Sequence, residues 1–385
     1  MKKTLIALAA LAAASAFAQS APSSVTLYGS VDAYFGRTSV TAPNPGLGLG
    51  ALMYNTAATP YAKNSQTVVN SGGLGPSRLG ISVKEGLGND LYAFTTIEQE
   101  MQTDTGATAG ARTSIVGLGG NWGRLSLGRQ ATPLKDASVR LADAQAESVF
   151  SAFSRAVAVS LTNDRSPFVQ RMNNGIRYDL PESADGGFRG AVAVGTTNAA
   201  DKTPGSNDRI FGLSIGYVQP GSFAVGFSHQ TENKGQNTAP SPTALGILPG
   251  GQKITLNYLS GAVGTPVGKI TLGFGGGKVS GVTGNDKGWN IGWSAPIDNW
   301  TLIAQYASFK ASGQLGNLYN STNGFFVSPP GLRAGSVRRS SFGAEARYAL
   351  SKRTTVYGGY NTSKNLLGID GAKSSTFGVG MRHDF

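Results

Sequence analysis

The C-terminal residues alternate strictly between two kinds of side chain, and the last of them is aromatic. Counting back in twos from Phe385 gives His383, Met381, Val379 and Phe377, and the residues between them are small or polar. Successive side chains of a β-strand point to opposite faces, so one face of this segment meets an apolar medium and the other meets water. The same period of two recurs in short segments along the whole chain. This repetition predicts an all-β fold.

Glycine content and the lack of long apolar runs restrict the kind of β-protein. The chain has 55 glycines in 385 residues, about twice the usual fraction, which favours tight turns and crowded strand surfaces over a soluble core. No later segment approaches the roughly 18 consecutive apolar residues of a membrane-spanning helix. A chain that enters a membrane without such helices must form a closed barrel, because only closure satisfies every backbone polar group. The sequence therefore predicts a transmembrane antiparallel β-barrel.

The N-terminal residues have the pattern of an export signal. Lys2 and Lys3 precede an apolar run at residues 5–14, and the small-residue cleavage pattern Ala-Phe-Ala follows at residues 16–18. We expect cleavage after residue 18, so that the mature chain begins at Gln19. The alternative, a transmembrane helix, is disfavoured because the run is too short and polar residues follow it.

Alternation and bounding turn residues predict about sixteen strands in one domain that spans residues 19–385. They are residues 25–37, 77–85, 90–102, 112–119, 122–130, 174–181, 188–197, 208–218, 221–231, 252–262, 267–277, 287–296, 300–311, 340–350, 353–363 and 374–385. In the first strand, Val25 and Leu27 fall on the apolar face, whereas Ser30 and Asp32 fall on the polar face. A barrel of sixteen strands is too wide for side chains to fill, so its polar face lines a water-filled lumen.

The connections between these strands alternate in length. Short turns are predicted at residues 86–89, 120–121, 181–187, 219–220, 263–266, 297–299 and 351–352. Longer connections are predicted at residues 38–76, 103–111, 131–173, 198–207, 232–251, 278–286, 312–339 and 364–373. Outer-membrane barrels have this arrangement, with short turns in the periplasm and long loops outside the cell.

Charge and composition argue against several functions. The formal charge is +12, or +10 without Lys2 and Lys3, but the cations are dispersed, which disfavours a nucleic-acid partner. There is no cysteine, and the two histidines, His229 and His383, have no persuasive catalytic partner. The glycine-rich segment at residues 273–278 lacks the spacing of a phosphate-binding loop. We therefore predict no catalytic residue, no metal site and no cofactor.

Six segments in order along the chain resemble the general diffusion porins of beta-proteobacteria, which include the neisserial porins. They are residues 25–36 (VTLYGSVDAYFG), 77–87 (SRLGISVKEGL), 112–130 (RTSIVGLGGNWGRLSLGRQ), 174–181 (NGIRYDLP), 348–360 (YALSKRTTVYGGY) and 379–385 (VGMRHDF). The resemblance covers the mature chain. It implies a sixteen-stranded barrel in the Gram-negative outer membrane, assembled as a homotrimer, with the third long loop folded into each pore.

The resemblance also implies a function and partners. We expect a water-filled channel for passive diffusion of small hydrophilic solutes and ions. Expected partners are outer-membrane lipid, lipopolysaccharide and the barrel assembly machinery, with Phe385 as the C-terminal assembly signal.

The connection at residues 131–173 is the candidate for the infolded loop. Residues 132–155 have helical propensity, because Thr132 can cap, Pro133 suits the first helical position, and alanine and leucine follow. Four charged residues are spaced by four, three and four, which places them on one helix face. They are Asp136, Arg140, Asp143 and Glu147. The alternative is a solvated face of a surface helix with ordinary ion pairs.

If the loop lies in the pore, its carboxylates need opposing cations from the wall. Five arginines on neighbouring strands are predicted to supply them. They are Arg78, Arg112, Arg124, Arg129 and Arg177. Arg112 is assigned through the resemblance, and the face of Arg129 is ambiguous. Opposed acidic and basic groups set a transverse field across a narrow aqueous passage, and uncompensated arginines concentrate anions. We therefore predict a modest anion preference, with Asp136, Asp143 and Glu147 as the acidic side of the constriction.

Three alternative functions remain open from the sequence. A substrate-selective porin would have a binding track for an organic anion or phosphate. An adhesin or structural barrel would use residues 38–76 and 312–339 as binding surfaces, but it predicts fewer strands. An outer-membrane enzyme would need a serine, a histidine and an acid together.

Overall fold

The computed structural model describes residues 23–41, 63–157, 171–196, 209–233, 252–313, 336–365 and 372–385. The predicted export signal and its cleavage site lie outside the described residues. Seventeen strands and two helices occur within these ranges. The strands are β1 (Ser24–Thr41), β2 (Lys63–Ser71), β3 (Ser77–Gly88), β4 (Leu91–Met101), β5 (Thr108–Gly120), β6 (Gly123–Ala131), β7 (Arg171–Asp179), β8 (Gly187–Thr196), β9 (Arg209–Gln219), β10 (Phe223–Asn233), β11 (Lys253–Thr265), β12 (Gly268–Val279), β13 (Asp286–Ile297), β14 (Trp300–Ser312), β15 (Ser336–Ala349), β16 (Thr354–Lys364) and β17 (Lys373–Asp384). The helices are α1 (Pro133–Leu141) and α2 (Ala152–Ala156).

The sheet closes into an antiparallel barrel with sixteen strand positions. From β3 onward each strand pairs with the next in the chain, and β17 pairs with β1. The other edge of β1 pairs with two segments: residues 24–30 pair with β3, and residues 33–41 pair with β2. Because β2 and β3 together fill one position, the predicted number of sixteen is confirmed.

The first long connection was predicted wrongly as residues 38–76. Strand β1 continues to Thr41, and β2 covers Lys63–Ser71. Residues 72–76 then interrupt the strand, where Gly72 has a φ of 78°. The sequence of β2, KNSQTVVNS, is polar on both faces apart from Val68 and Val69, so it lacks the apolar alternation of the other strands.

Apolar side chains cover the outside of the barrel, and polar side chains line its inside. In β1, Val25 is 75% exposed and Leu27 is 60% exposed, whereas Ser30 and Asp32 are buried. This confirms the predicted faces of the first strand. An outward apolar surface with a polar interior is the reverse of a soluble protein and matches a barrel in lipid.

The two ends of the barrel differ in their connections and in their aromatic residues. At one end the connections are short, such as residues 89–90, 121–122 and 298–299. Aromatic pairs lie beside these turns: Trp122 stacks on Tyr178 at 6.2 Å, and Trp300 contacts Tyr348 at 4.8 Å. Such aromatic groups occur where a barrel wall meets the membrane surface. Within the described ranges, neither helix has the length and apolar character needed to span a membrane.

Candidate pore constriction

Helix α1 begins where the sequence predicted it. Thr132 is the N-cap, its hydroxyl accepts a hydrogen bond from the Lys135 amide at 3.3 Å, and Pro133 occupies the first turn. The prediction of one helix face extending to Glu147 is wrong, because α1 ends at Leu141. The Asp143 carboxylate accepts hydrogen bonds from the backbone N–H groups of residues 145 and 147. These bonds stabilise a turn after α1 and compete with continuation of the helix. Glu147 has a φ of 67° in that turn.

The segment formed by residues 132–157, here called the inner loop, lies against the inside of the barrel wall. Asn290 donates to the Ala142 carbonyl at 2.6 Å, Gln305 accepts from the Phe153 amide at 3.1 Å, and Asn361 donates to the Phe150 carbonyl at 3.0 Å. The three wall residues are buried, and the neighbours of each along the strand include an exposed aromatic residue of the outer face. The wall amides therefore hold the inner loop in the lumen.

Apolar packing adds to these hydrogen bonds. Phe150 is fully buried and meets the ring of Tyr34 edge-on at 6.2 Å. Gly343 and Gly359 pass directly beside Phe150, and a Cβ at either glycine would clash with it. Further along the loop, Phe153 packs on Tyr258 with ring centroids 6.0 Å apart. The core of the protein is thus the contact between the inner loop and the wall.

Asp143 stabilises the inner loop through hydrogen bonds within it, and it does not line the pore constriction beside Asp136. Its carboxylate is buried and accepts from the backbone of Gln145 at 3.0 Å, from that of Glu147 at 2.9 Å and from the Ser151 hydroxyl at 3.0 Å. Burial raises the pKa of Asp143 to about 6, although these hydrogen bonds act in the opposite direction. The assignment of Asp143 to the acidic side of the constriction is therefore corrected: its spacing implied a helix that is not there.

Arg78 and Arg112 lie on the wall, but they pair with carboxylates of the wall itself and not, as the sequence predicted, with those of the inner loop. Arg112 binds Glu98 at 2.7 Å and Glu100 at 3.0 Å, and its side chain is 8% exposed. Arg78 lies 3.8 Å from the same Glu98 carboxylate, which also accepts from the Tyr28 hydroxyl at 3.1 Å. The carboxylates come from β4, so the basic wall carries its own counter-charges.

Arg177 is the predicted wall arginine that contacts a predicted loop acid. Its guanidinium binds Asp136 at 2.6 Å and Asp179 at 2.6 Å, and it donates to the Ala131 carbonyl at 2.9 Å. Asp136 lies in the first turn of α1, where a carboxylate also interacts favourably with the helix dipole. The pair fastens the start of the inner loop to β7.

The remaining predicted cations each have a different partner. Arg124 lies over the ring of Phe94 at 4.3 Å. Arg140 makes an exposed ion pair with Glu182 at 2.9 Å. Arg129 donates to the Ala111 carbonyl at 2.7 Å and to Asn173. It lies at the register shift between β6 and β7, and these two bonds hold the guanidinium at the end of β6. Arg124, Arg140, Asp136 and Arg177 share the lining of an open pocket of about 690 Å³ between α1 and the wall.

Sequence reasoning missed several charged residues of the constriction. They are Glu98, Glu100, Lys135, Arg171 and Asp179. Lys135 and Glu147 form an ion pair at 2.6 Å within the inner loop, and burial lowers the pKa of Lys135. Arg171 lies within electrostatic reach of Arg112 and Glu147. Glu98 and Glu100 could have been found, because they alternate with Ile97 and Gln99 along β4.

The C-terminal residue completes the seam of the barrel. The backbone of Phe385 exchanges two hydrogen bonds with Gly29, each 3.1 Å long. Its ring lies over Gly29, where an added Cβ would be 2.6 Å from Cζ of the ring. No cluster of three histidine, cysteine or acidic residues suited to a metal ion occurs in the part of the chain that the structure describes.

Comparison with known proteins identifies the family. The model of the Gram-negative porin family matches residues 4–366. An outer membrane porin protein of Bordetella pertussis is 28% identical over 416 residues, with all of both chains covered.

Two solved structures share the fold. The anion-selective porin from Comamonas acidovorans has a TM-score of 0.70 at 20% identity, covering 94% of this chain and 100% of its own. In-vitro folded OmpT of Vibrio cholerae, in its trimer form, has a TM-score of 0.64 at 14% identity, covering 95% of this chain and 100% of its own. The family match over most of the sequence, together with the closed barrel, establishes that the chain belongs to the Gram-negative porins, the channel-forming proteins of the outer membrane.

Proposed function

We propose that this porin conducts small hydrophilic solutes and ions by passive diffusion past the inner loop, with a weak preference for anions. The observation that carries the preference is an imbalance among the charges of the constriction. The five carboxylates there each take part in an ion pair: Glu98, Glu100, Asp136, Glu147 and Asp179. Three cations of the constriction, Arg124, Arg129 and Arg171, form no ion pair with a residue that the structure describes.

The excess of positive charge acts in a lumen with low-dielectric walls. Such walls strengthen the field of a fixed charge and raise the local concentration of its counter-ion. Because most cations are paired, the field is small, and the expected preference is weak. The Comamonas acidovorans porin, which shares this fold, is anion-selective, in agreement with this sign.

Further parts of the proposal concern export and assembly. Cleavage after residue 18 would give a mature chain that starts at Gln19. The short connections would then face the periplasm, and the long ones the cell exterior. We expect a homotrimer, as the trimer form of OmpT suggests, and insertion by the barrel assembly machinery with Phe385 as the signal.

The reversal potential in a planar bilayer tests the charge imbalance. We would compare the wild-type protein with R124Q/R171Q under a tenfold potassium chloride gradient. Removing both charges should move the reversal potential from the chloride side toward zero. The matched control is K352Q/R353Q, which removes two exposed cations at the short-turn end and should leave the potential unchanged. An unchanged potential in R124Q/R171Q contradicts the assignment of these arginines.

A further inference from the structure

The wall of the barrel is irregular where β2 meets β3. In β1, only residues 31–32 lie between the part that pairs with β2 and the part that pairs with β3. Residues 72–77 lie opposite them, so six residues face two, whereas a regular antiparallel ladder places residues one against one. The extra chain, residues 72–76, is here called the wall bulge. Residues 73–75 of this bulge are buried.

The carboxylate of Asp32 holds the wall bulge. Its Oδ1 accepts a hydrogen bond from the Gly73 amide at 3.0 Å, and its Oδ2 accepts one from the Leu74 amide at 2.8 Å. The Tyr357 hydroxyl of β16 also donates to Oδ1. Two successive backbone N–H groups make a small anion-binding concavity, and here the anion is a side chain of the protein itself. Asp32 is fully buried, so its carboxylate is enclosed by these donors.

The inner loop docks on the same bulge. The amide of Gly73 donates to Asp32, and the carbonyl of Gly73 accepts from the Val149 amide at 3.0 Å. Leu74 belongs to one buried apolar cluster with Phe150. The inner loop therefore meets a surface whose shape depends on Asp32.

Asp32 also lies between the two sides of the constriction. Along the chain, Arg78 of the wall is two residues after the bulge, and Glu147 of the inner loop is two residues before Val149. The backbone N–H of Asp32 donates to the Ser77 hydroxyl at 2.9 Å, and that hydroxyl donates to the Asp32 carbonyl at 3.0 Å. These bonds fix the start of β3. One residue thus contacts both the start of the basic wall and the support of the inner loop.

We propose that Asp32 is a positioning residue of the channel: its carboxylate shapes the wall bulge on which the inner loop docks, and it thereby sets the width of the constriction. The proposal rests on the proposed function, because the solutes must pass beside the inner loop. Asp32 itself is buried and does not contact them. A carboxylate suits this position better than an amide, because both of its oxygens accept hydrogen bonds, whereas an amide has a single acceptor oxygen.

Hydrogen exchange at the Val149 amide of the detergent-solubilised protein tests the docking. D32N keeps the size of the side chain but replaces one acceptor with a donor, so one of the two bulge amides loses its partner. From the strength of hydrogen bonds to charged groups, exchange should become about 10- to 100-fold faster. The matched control is D384N, which removes a carboxylate from the inner face of the neighbouring strand β17, where it pairs with Arg382 at 2.7 Å. D384N should leave the exchange of Val149 unchanged.

Channel recording with neutral polyethylene glycols of graded size tests the width. Polymers that enter the constriction lower its conductance, and polymers that are excluded do not. D32N should admit polymers that the wild type excludes, because the bulge no longer holds its inner loop. D384N should keep the size limit of the wild type.

The double variant D32N/F150A separates positioning of the loop from a general weakening of the barrel. If Asp32 acts on the loop through the cluster of Leu74 and Phe150, D32N should add little to the exchange rate of Val149 once Phe150 is gone. Independent effects would instead multiply, and that result would contradict the proposed route.

Two results would overturn the proposal. One is exchange of Val149 in D32N within threefold of the wild type, and the other is an unchanged size limit for the polymers. If D32N does not form a barrel, L74A carries the test, because it shortens the buried side chain of the bulge and leaves the strand pairs intact. Wild-type exchange of Val149 in L74A would then refute docking on the bulge. Silence of the wild-type channel would refute the proposed function, whereas the exchange of Val149 would still report on Asp32.

Discussion

Replacing Phe150 with alanine should release the inner loop from the wall. The side chain is fully buried against Tyr34 and Gly359, so F150A removes a ring and leaves a cavity. Phe→Ala substitutions at buried sites cost about 3–5 kcal/mol. Because Phe150 belongs to the docked loop and not to a strand pair, most of this cost should fall on docking of the loop. The barrel itself should remain closed.

Hydrogen exchange measures this docking directly. The Val149 amide donates to the Gly73 carbonyl at 3.0 Å, and this bond breaks when the loop leaves the wall. A loss of 3–5 kcal/mol corresponds to exchange of the Val149 amide that is faster by a factor of about 10²–10⁴. The control is F342A, which truncates a phenylalanine that is 40% exposed on the outer face of β15. Exchange at Val149 that changes less than threefold in F150A would refute the view that this ring holds the loop.

Three further predictions concern other parts of the molecule. Burial raises the pKa of Asp143 from its ordinary value near 3.8 to about 6 in the docked loop, so the stability of docking is greatest below pH 3.8 and is lost as the pH rises through 6. Exchange of the Val149 amide, corrected for its intrinsic pH dependence, should therefore be slower at pH 4 than at pH 7. D143N should abolish this difference. E98Q removes the carboxylate shared by Arg78 and Arg112 and should shift the reversal potential further toward chloride. The control E85Q changes an exposed residue on the other face of β3 and should not shift it, and a shift of E98Q toward potassium would contradict the pairing. G29A places a Cβ 2.6 Å from the Phe385 ring and 2.6 Å from the Arg78 carbonyl oxygen, and it should destabilise the seam by about 1–3 kcal/mol in urea unfolding. Full wild-type stability would show that both neighbours move away without cost.

The strands could be predicted because the membrane imposes one rule on nearly every one of them. Lipid outside and water inside force apolar and polar residues to alternate, as in Val25 to Asp32 of β1. Strand β2 was missed because both of its faces are mostly polar, with Val68 on one face and Val69 on the other. The interruption that follows it depends on Asp32, whose carboxylate accepts from the amides of Gly73 and Leu74. Gly73 and Leu74 are more than 40 residues from Asp32 in the sequence, so the residues around Asp32 do not indicate this contact.

The site was predictable where its causes are local. Thr132 and Pro133 start α1 by rules that involve only their neighbours, and both were found. The end of α1 was missed, because Asp143 looked like a member of a charged helix face although it bonds to the turn that follows. The pairing of Arg112 with Glu98 depends on the register of β4 and β5, which alternation alone does not provide.

The central claim is that the barrel is an open, weakly anion-selective channel narrowed by the inner loop. Single-channel recording of the refolded wild-type protein under a potassium chloride gradient tests it most directly. We expect stepwise openings, grouped in threes for a trimer, with a reversal potential on the chloride side. A potassium-side potential would contradict the charge assignment, and silence from correctly folded protein would contradict the diffusion channel.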